Sequence, residues 1–247
     1  MPTLSFFRRA VPVGLLIAAG CDDESEPEPR QPDVVLVGGL GRATFTYGCA
    51  GPGDAQCDLD ADLAPLRESS PFPLLAVGSQ FRLAAEGAAY GPLDLDSASP
   101  DFLALDADGL TLTASRAGIA SVVAARGGTP VDFANIELVE PAALKILQAT
   151  PQGSFKGVDL DFGNGSVSAT AQTVVTFKFR AVVTDADDVL LAGALPCNWA
   201  TSDANVASIT SDPAENIVTV VSGQSGTATV SVTYGAFTGS ITIAVGS

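Results

Sequence analysis

Apolar and polar residues alternate with a period of two along several stretches of the second half of the chain. In the clearest run, residues 175–183, one set is Val175, Phe177, Phe179, Ala181 and Val183, and the other is Thr176, Lys178, Arg180 and Val182. The runs 228–233 and 241–245 repeat this pattern. Because successive side chains of a strand point to opposite faces, the pattern predicts antiparallel strands with one face in a core and one in water.

Shorter apolar runs, separated by turn residues such as Asp108-Gly109 and Gly127-Gly128, fill the first half. They predict strands over residues 34–37, 42–47, 74–77, 81–85, 102–105, 110–114, 119–125 and 132–139. Few runs have the period of a helix, and glycine or proline interrupts the chain often. The predicted fold class is therefore all-β.

The two halves of the chain also resemble each other. Phe81-Arg82-Leu83 matches Phe179-Arg180-Ala181, residues 99–105 parallel residues 202–209, and residues 118–122 match residues 226–230. A unit of about one hundred residues with about seven short strands fits a β-sandwich of the immunoglobulin type. We expect two tandem Ig-like domains: a divergent one over 34–140, and a second over 141–247 that begins at the Glu140-Pro141 junction.

The N-terminal stretch combines Arg8 and Arg9 with an apolar run of about eleven residues that ends at Gly20. That run is too short to span a hydrocarbon core of about 30 Å, but it has the length of the apolar region of a signal peptide. Ala18-Ala19-Gly20-Cys21 resembles the lipobox of bacterial lipoproteins. The resemblance implies that residues 1–20 are a removed signal peptide and that Cys21 carries the lipid. A secretory signal with an incidental cysteine is the alternative.

Residues 21–33 are acidic and rich in proline. Such a composition cannot bury a core and favours an extended path of about 3.1 Å per residue. We expect this segment to be a lipid-anchored tether that holds the first domain away from the membrane.

The charge of the chain narrows the choice of partners. With 12 basic and 28 acidic residues, the formal net charge is −16. Such a surface repels phosphate backbones, so we expect no nucleic-acid partner. The simplest explanation of the negative charge is that it keeps an envelope protein soluble. The more specific alternative is that the acidic residues bind a divalent cation.

The chain has four cysteines. With Cys21 assigned to the lipid, Cys49 and Cys57 flank the loop AGPGDAQ, and we expect a disulfide between them. Such a short loop would contribute about 2.5 kcal/mol in the chain-entropy model. Cys197 lies in a strand-like segment and is predicted to be a buried free thiol.

The second half carries a family resemblance. The run Trp199-Ala200-Thr201-Ser202-Asp203-Ala204-Asn205-Val206-Ala207-Ser208-Ile209 and the closing Gly226-Thr227-Ala228-Thr229-Val230 resemble the signature of bacterial immunoglobulin-like group 2 domains. The first half carries it weakly and has no matching tryptophan. The resemblance implies a surface or adhesion protein, often a spacer, with no catalytic residues, and it makes Trp199 a core residue rather than a platform for sugars.

Few side chains suggest chemistry. The chain has no histidine, so the usual base of a hydrolase triad is missing. Closely spaced aspartates are the remaining candidates for a functional site. Asp58, Asp60 and Asp62 are weak candidates for calcium ligands, and the loop 159–165 is a weaker candidate for a calcium site. Leu63 and Ser69 depart from the EF-hand pattern, where glycine and glutamate are needed. Turn-forming aspartates are the favoured interpretation.

These observations predict a non-enzymatic lipoprotein of the bacterial cell envelope, with no cofactor, that acts in display, spacing or adhesion. Its partners would be the membrane, through the lipid anchor, and a protein or glycan at the loops. The outer membrane is the favoured location, with the domains in the periplasm or on the surface. The alternative is a calcium-dependent carbohydrate-binding accessory subunit of an envelope enzyme complex.

Overall fold

The computed structural model describes residues 35–51, 54, 72–149, 155–156, 165–170, 174–212 and 215–246. Residues Pro32–Ser247 form one compact unit. The described ranges contain eighteen strands and no helix. The prediction of an all-β protein is confirmed.

The first nine strands form a sheet that folds over on itself. They are β1 Val35–Val37, β2 Ala43–Gly48, β3 Leu75–Ala76, β4 Gln80–Gly87, β5 Gly91–Ser97, β6 Leu103–Leu105, β7 Thr111–Ala114, β8 Gly118–Arg126 and β9 Thr129–Val139. The order is β1-β2-β4-β5-β8-β9-β3, with β7 beside β4 and β6 beside β7. Strand β5 pairs with β4 through residues 91–93 and with β8 through residues 94–97. It therefore joins two layers, which enclose one core containing Phe45, Phe81 and Ile136.

The second nine strands form two sheets packed as a sandwich. They are β10 Ala143–Ala149, β11 Phe155–Lys156, β12 Gly165–Thr170, β13 Thr176–Thr184, β14 Asn198–Thr201, β15 Ala207–Ile209, β16 Ile217–Ser222, β17 Gly226–Tyr234 and β18 Phe237–Gly246. One sheet has the order β11-β10-β13-β16-β15, and the other has the order β12-β18-β17-β14. Their inner faces share a core that contains Phe179, Trp199 and Ile243.

The two halves, β1–β9 and β10–β18, repeat one pairing scheme. A short strand runs parallel to the last strand of each half, β3 with β9 and β12 with β18. The sequence β4-β7-β6 corresponds to β13-β16-β15, and the hairpin β8–β9 corresponds to β17–β18. The similarity between the halves that the sequence indicated therefore extends to their topology, while the domain boundaries at 34, 140 and 247 stay a prediction.

A matched pair of glycines shows how closely the halves correspond. Gly118 opens β8 with φ 137°, and Gly226 opens β17 with φ 153°. A Cβ atom on Gly118 would lie 2.9 Å from the Phe102 ring, and one on Gly226 would lie 2.9 Å from Val206. Because L side chains rarely adopt these φ values, glycine is required at both positions.

One expectation about β13 is wrong. The alternating pattern placed Arg180 and Val182 on a face in water, but they are only 1% and 3% exposed. The neighbouring strands explain this burial, since Arg180 lies in register between Leu147 of β10 and Ile217 of β16. Val182 packs with those two residues in a small apolar cluster outside the main core. The outer face of β13 is exposed only near its start, at Thr176 and Lys178.

Candidate functional site

A set of buried polar groups lies where the two halves meet. Segment 190–197, which connects β13 to β14, runs alongside the first half. The Ala192 amide donates to Leu74 O (2.8 Å) and Ala192 O accepts from the Ala76 amide (3.1 Å). Ala194 and Gln80 exchange two backbone hydrogen bonds of 2.7 and 2.9 Å. The segment therefore pairs with the first half through two isolated β-bridges, one parallel and one antiparallel.

The two cores exchange residues at the same place. Leu74 and Ala76 of the first half pack into the core of the second, while Ala192 of the second half packs into the core of the first. All three side chains are 6% exposed or less. Apolar burial therefore continues across the boundary, which is the pattern of one folded body rather than of two domains joined by a linker.

A buried carboxylate lies in this contact. Asp54 is fully buried, and its side chain accepts hydrogen bonds from the Tyr47 hydroxyl of β2 and from the Gly193 amide at 3.1 Å. A buried charge is tolerated when donors surround it, and here one donor comes from each half. Burial, and then the charge of Asp54, raise the pKa of Tyr47 well above its usual value. Tyr47 therefore keeps the proton that it donates.

Gly193 is required by the geometry of this contact. Its φ of 104° disfavours any L side chain, and a Cβ atom would collide with the Ser79 hydroxyl. Ser79 is itself buried and donates to Ala76 O at 2.7 Å. The absence of a side chain at residue 193 therefore lets the two backbones approach closely.

A further hydrogen bond between the halves is made by the side chain of Tyr234. This residue of β17 is buried, and its hydroxyl donates to Val77 O. The next residue, Gly78, has φ 88°, and a Cβ there would lie 2.7 Å from the Tyr234 oxygen. Burial raises the pKa of Tyr234. We call the set Tyr47, Asp54, residues 74–80, residues 190–197 and Tyr234 the joint.

A cavity of about 300 Å³ opens beside the joint. It is lined by Ala50, Gly51, Gln80, Ala194, Leu195, Pro196, Glu215 and Asn216. The polar side chains in this lining are two amides and one carboxylate. Among these described residues there is no serine, threonine or cysteine, and the lining has the polarity to hold a small polar molecule.

Asp132, the fourth residue of β9, is a second buried carboxylate that local sequence patterns did not indicate. It is 2% exposed and accepts hydrogen bonds from the amides of Leu40, Arg42, Ala43 and Phe133 at 2.7–2.8 Å. Burial raises the pKa of this carboxyl, but the four amide bonds outweigh burial and the net pKa is lowered. Its role is to hold the loop between β1 and β2. A single Asp within an apolar strand pattern carried no signal of this.

The described Asp-x-Asp motifs mostly shape turns. Asp108 accepts from the Leu110 and Thr111 amides and from the Thr111 hydroxyl. Asp185 accepts from the Asp187 and Val189 amides. In the part of the chain that the structure describes, no three acidic or cysteine residues are grouped to hold a metal ion. The calcium candidates Asp58, Asp60 and Asp62 and the loop 159–165 lie outside the described residues, apart from Gly165.

The remaining predicted residues are placed as follows. Trp199 is 3% exposed in the second core, and its indole N–H donates to Glu215 O at 2.9 Å. Cys197 is a buried free thiol whose pKa burial raises to about 12. Cys49 follows β2, but Cys57 and Cys21 lie outside the described residues. The disulfide and the lipid site therefore stay predictions.

Comparison with known proteins identifies no family. No family model and no curated protein matches the chain. Similar solved structures include domains 4 and 5 of the S-layer protein SbsC, with 16% identity over 62% of this chain and 75% of that chain, at a TM-score of 0.30. A beta-glycosidase from Bacteroides vulgatus has 13% identity over 70% of this chain and 24% of that chain, at a TM-score of 0.29. Likenesses at this level carry no argument about function.

Within the described ranges, no helix has the length and apolar character needed to cross a membrane.

Proposed function

We propose that this protein is a non-enzymatic lipoprotein of the bacterial cell envelope that displays two Ig-like β-sandwiches as a spacer or adhesion module. One observation carries the proposal: two arginines, a short apolar run and Ala18-Ala19-Gly20-Cys21 occur in order and are followed by an acidic, proline-rich segment. This order is typical of a processed and lipidated N-terminus.

The fold supports a display role. An all-β body with two cores places many loops on a rigid scaffold, and such loops are where binding sites evolve. A protein or glycan bound at these loops is the proposed partner. The outer membrane is the proposed location, with the body in the periplasm or on the surface.

The proposed lack of catalysis has a chemical basis. The whole sequence contains no histidine, and the cavity beside the joint has no serine, threonine or cysteine among its described lining residues. A screen of hydrolase substrates checks this proposal. Turnover that disappears on substitution of a single aspartate would contradict it.

The anchor is tested by the intact mass of the protein extracted from its own membranes. We expect a chain that begins at Cys21, heavier than the peptide by several acyl chains. The Cys21→Ser variant should leave the detergent phase and appear in the soluble fraction, whereas Cys197→Ser, a matched substitution of a buried thiol, should stay with the membrane. A Cys21→Ser protein that remains membrane-bound would overturn the anchor.

A calcium titration separates the spacer from a calcium-dependent carbohydrate-binding module. For the spacer we expect an unchanged melting temperature. A clear rise on adding calcium would favour the second class, because a ligand that binds only the folded state stabilises it.

A further inference from the structure

We propose that the two halves of this protein form one cooperative folding unit and that Asp54 is the latch that couples them. Tandem sandwiches on a linker would fold and unfold independently, each around its own core. The joint described above argues against independence here. This inference concerns the joint alone and does not rest on the lipid anchor.

The core of each half is incomplete without residues from the other half. Segment 190–197 of the second half supplies Ala192 to the first core, and the first half supplies Leu74 and Ala76 to the second core. Unfolding either half would expose these buried side chains and would break the backbone hydrogen bonds between residues 192–194 and residues 74–80. Each loss adds to the free energy of separating the halves.

Asp54 links the two halves directly. Its carboxylate is fully buried and accepts hydrogen bonds from Tyr47 of the first half and from the amide of Gly193 in the second. If the second half unfolded alone, Gly193 would leave and a buried charge would lose a donor. A partly satisfied buried charge is much less stable than a satisfied one, so the half-unfolded state is disfavoured.

The chain offers matched probes for this idea. Trp199 is the single tryptophan and is buried in the second core, so its fluorescence reports on the second half alone. Asp132 is a buried carboxylate whose donors, at residues 40–43 and 133, all lie in the first half. Asp132→Ala therefore weakens the first half without touching the joint.

The experiment compares thermal unfolding of the wild type, Asp132→Ala, Asp54→Ala and the double variant, followed by far-UV circular dichroism and by Trp199 fluorescence. With Asp54 present, we expect Asp132→Ala to lower both midpoints together, by roughly 10 °C. In the Asp54→Ala background, we expect the midpoints from circular dichroism and from Trp199 fluorescence to separate. The shift of the Trp199 midpoint caused by Asp132→Ala should then be at most half of its size in the presence of Asp54.

Two results would overturn the proposal. A Trp199 midpoint that ignores Asp132→Ala while Asp54 is present would show that the halves unfold independently. An equal shift of that midpoint with and without Asp54 would show that Asp54 is not the latch.

A gentler substitution covers the case in which Asp54→Ala does not fold. Tyr47→Phe removes only the hydroxyl that Asp54 accepts from, and it keeps the ring stacked on Phe81 at 5.7 Å. The control is Tyr90→Phe, because Tyr90 is exposed and lies away from the joint, over Arg126. We expect Tyr47→Phe, but not Tyr90→Phe, to weaken the response of the Trp199 midpoint to Asp132→Ala. Identical behaviour of the two variants would overturn the role of Asp54.

Discussion

Asp132 and Asp54 are both buried carboxylates, yet their surroundings assign them different tasks. Asp132 accepts hydrogen bonds from four backbone amides, two from the loop between β1 and β2 and one from the first residue of β2, and so stabilises a local feature of the first half. Asp54 accepts hydrogen bonds from a side-chain hydroxyl of the first half and from an amide of the second, and so stabilises a contact between distant parts of the chain. The origin of the donors, rather than the burial of the charge, determines whether such a residue shapes a loop or joins two bodies.

The largest effect on stability is expected at Asp132. Asp132→Ala leaves the amides of Leu40, Arg42 and Ala43 without their acceptor and should lower the free energy of unfolding by about 4 kcal/mol. Urea denaturation measures this change. A loss of unfolding free energy below about 1 kcal/mol would mean that water replaces the Asp132 carboxylate without penalty. It would contradict the role given to Asp132, in contrast to Asp54, of holding a loop.

A smaller effect on stability is expected at Gly193, whose amide donates to Asp54. Gly193→Ala introduces a side chain at φ 104° against Ser79 and should cost about 3 kcal/mol. Gly235→Ala is the control, since φ there is also positive, at 56°, but nothing lies within 4 Å of the added atom. Equal losses in the two variants would show that backbone strain alone, rather than the fit of the joint, accounts for the effect.

Alkaline pH should weaken the joint gradually. In the folded protein the pKa of Tyr47 is raised by burial and by Asp54, and that of Tyr234 is raised mainly by burial. The stabilising contribution of a group with a raised pKa is complete below its unfolded value, near 10 for tyrosine, and is lost as the pH rises above it. We expect the free energy of unfolding to fall by up to about 1.4 kcal/mol per pH unit for each group.

The comparison for this pH effect is the Tyr47→Phe variant. It lacks one of the two groups, so its stability should fall less steeply between pH 10 and pH 11 than that of the wild type. Parallel curves for the two proteins would contradict a buried, protonated Tyr47.

The smallest effect is expected at an exposed carboxylate. Asp108 accepts hydrogen bonds from Leu110 and Thr111, and these bonds lower the pKa of its carboxyl. Its Oδ2 atom lies 3.6 Å from Nη2 of Arg82. Solvent screens this turn, so Asp108→Asn should melt within experimental error of the wild type near neutral pH. A loss as large as that of Asp132→Ala would show that burial is not what separates these aspartates.

Much of the fold could be predicted from local patterns. Periodic alternation located β13, β17 and β18, and the recurrence of Gly118 and Gly226 at matching places indicated the repeat that the topology shows. Arg180 could not be predicted in the same way. Arg180 is buried between Leu147 and Ile217, which lie on neighbouring strands but are distant in sequence. A pattern of nearby residues therefore cannot predict this burial.

The joint shows the same division. Local patterns gave no role to Asp54, which lies within the loop AGPGDAQ, or to Gly193, which is one glycine among 25. The sequence by itself determined the all-β class and many of the strands, though not β5, because alternation and turn chemistry act between near neighbours. Only the tertiary structure decided which polar groups are buried and where the halves interlock. Asp54 and Gly193 are 139 positions apart in the sequence and are brought together by the packing of the two cores.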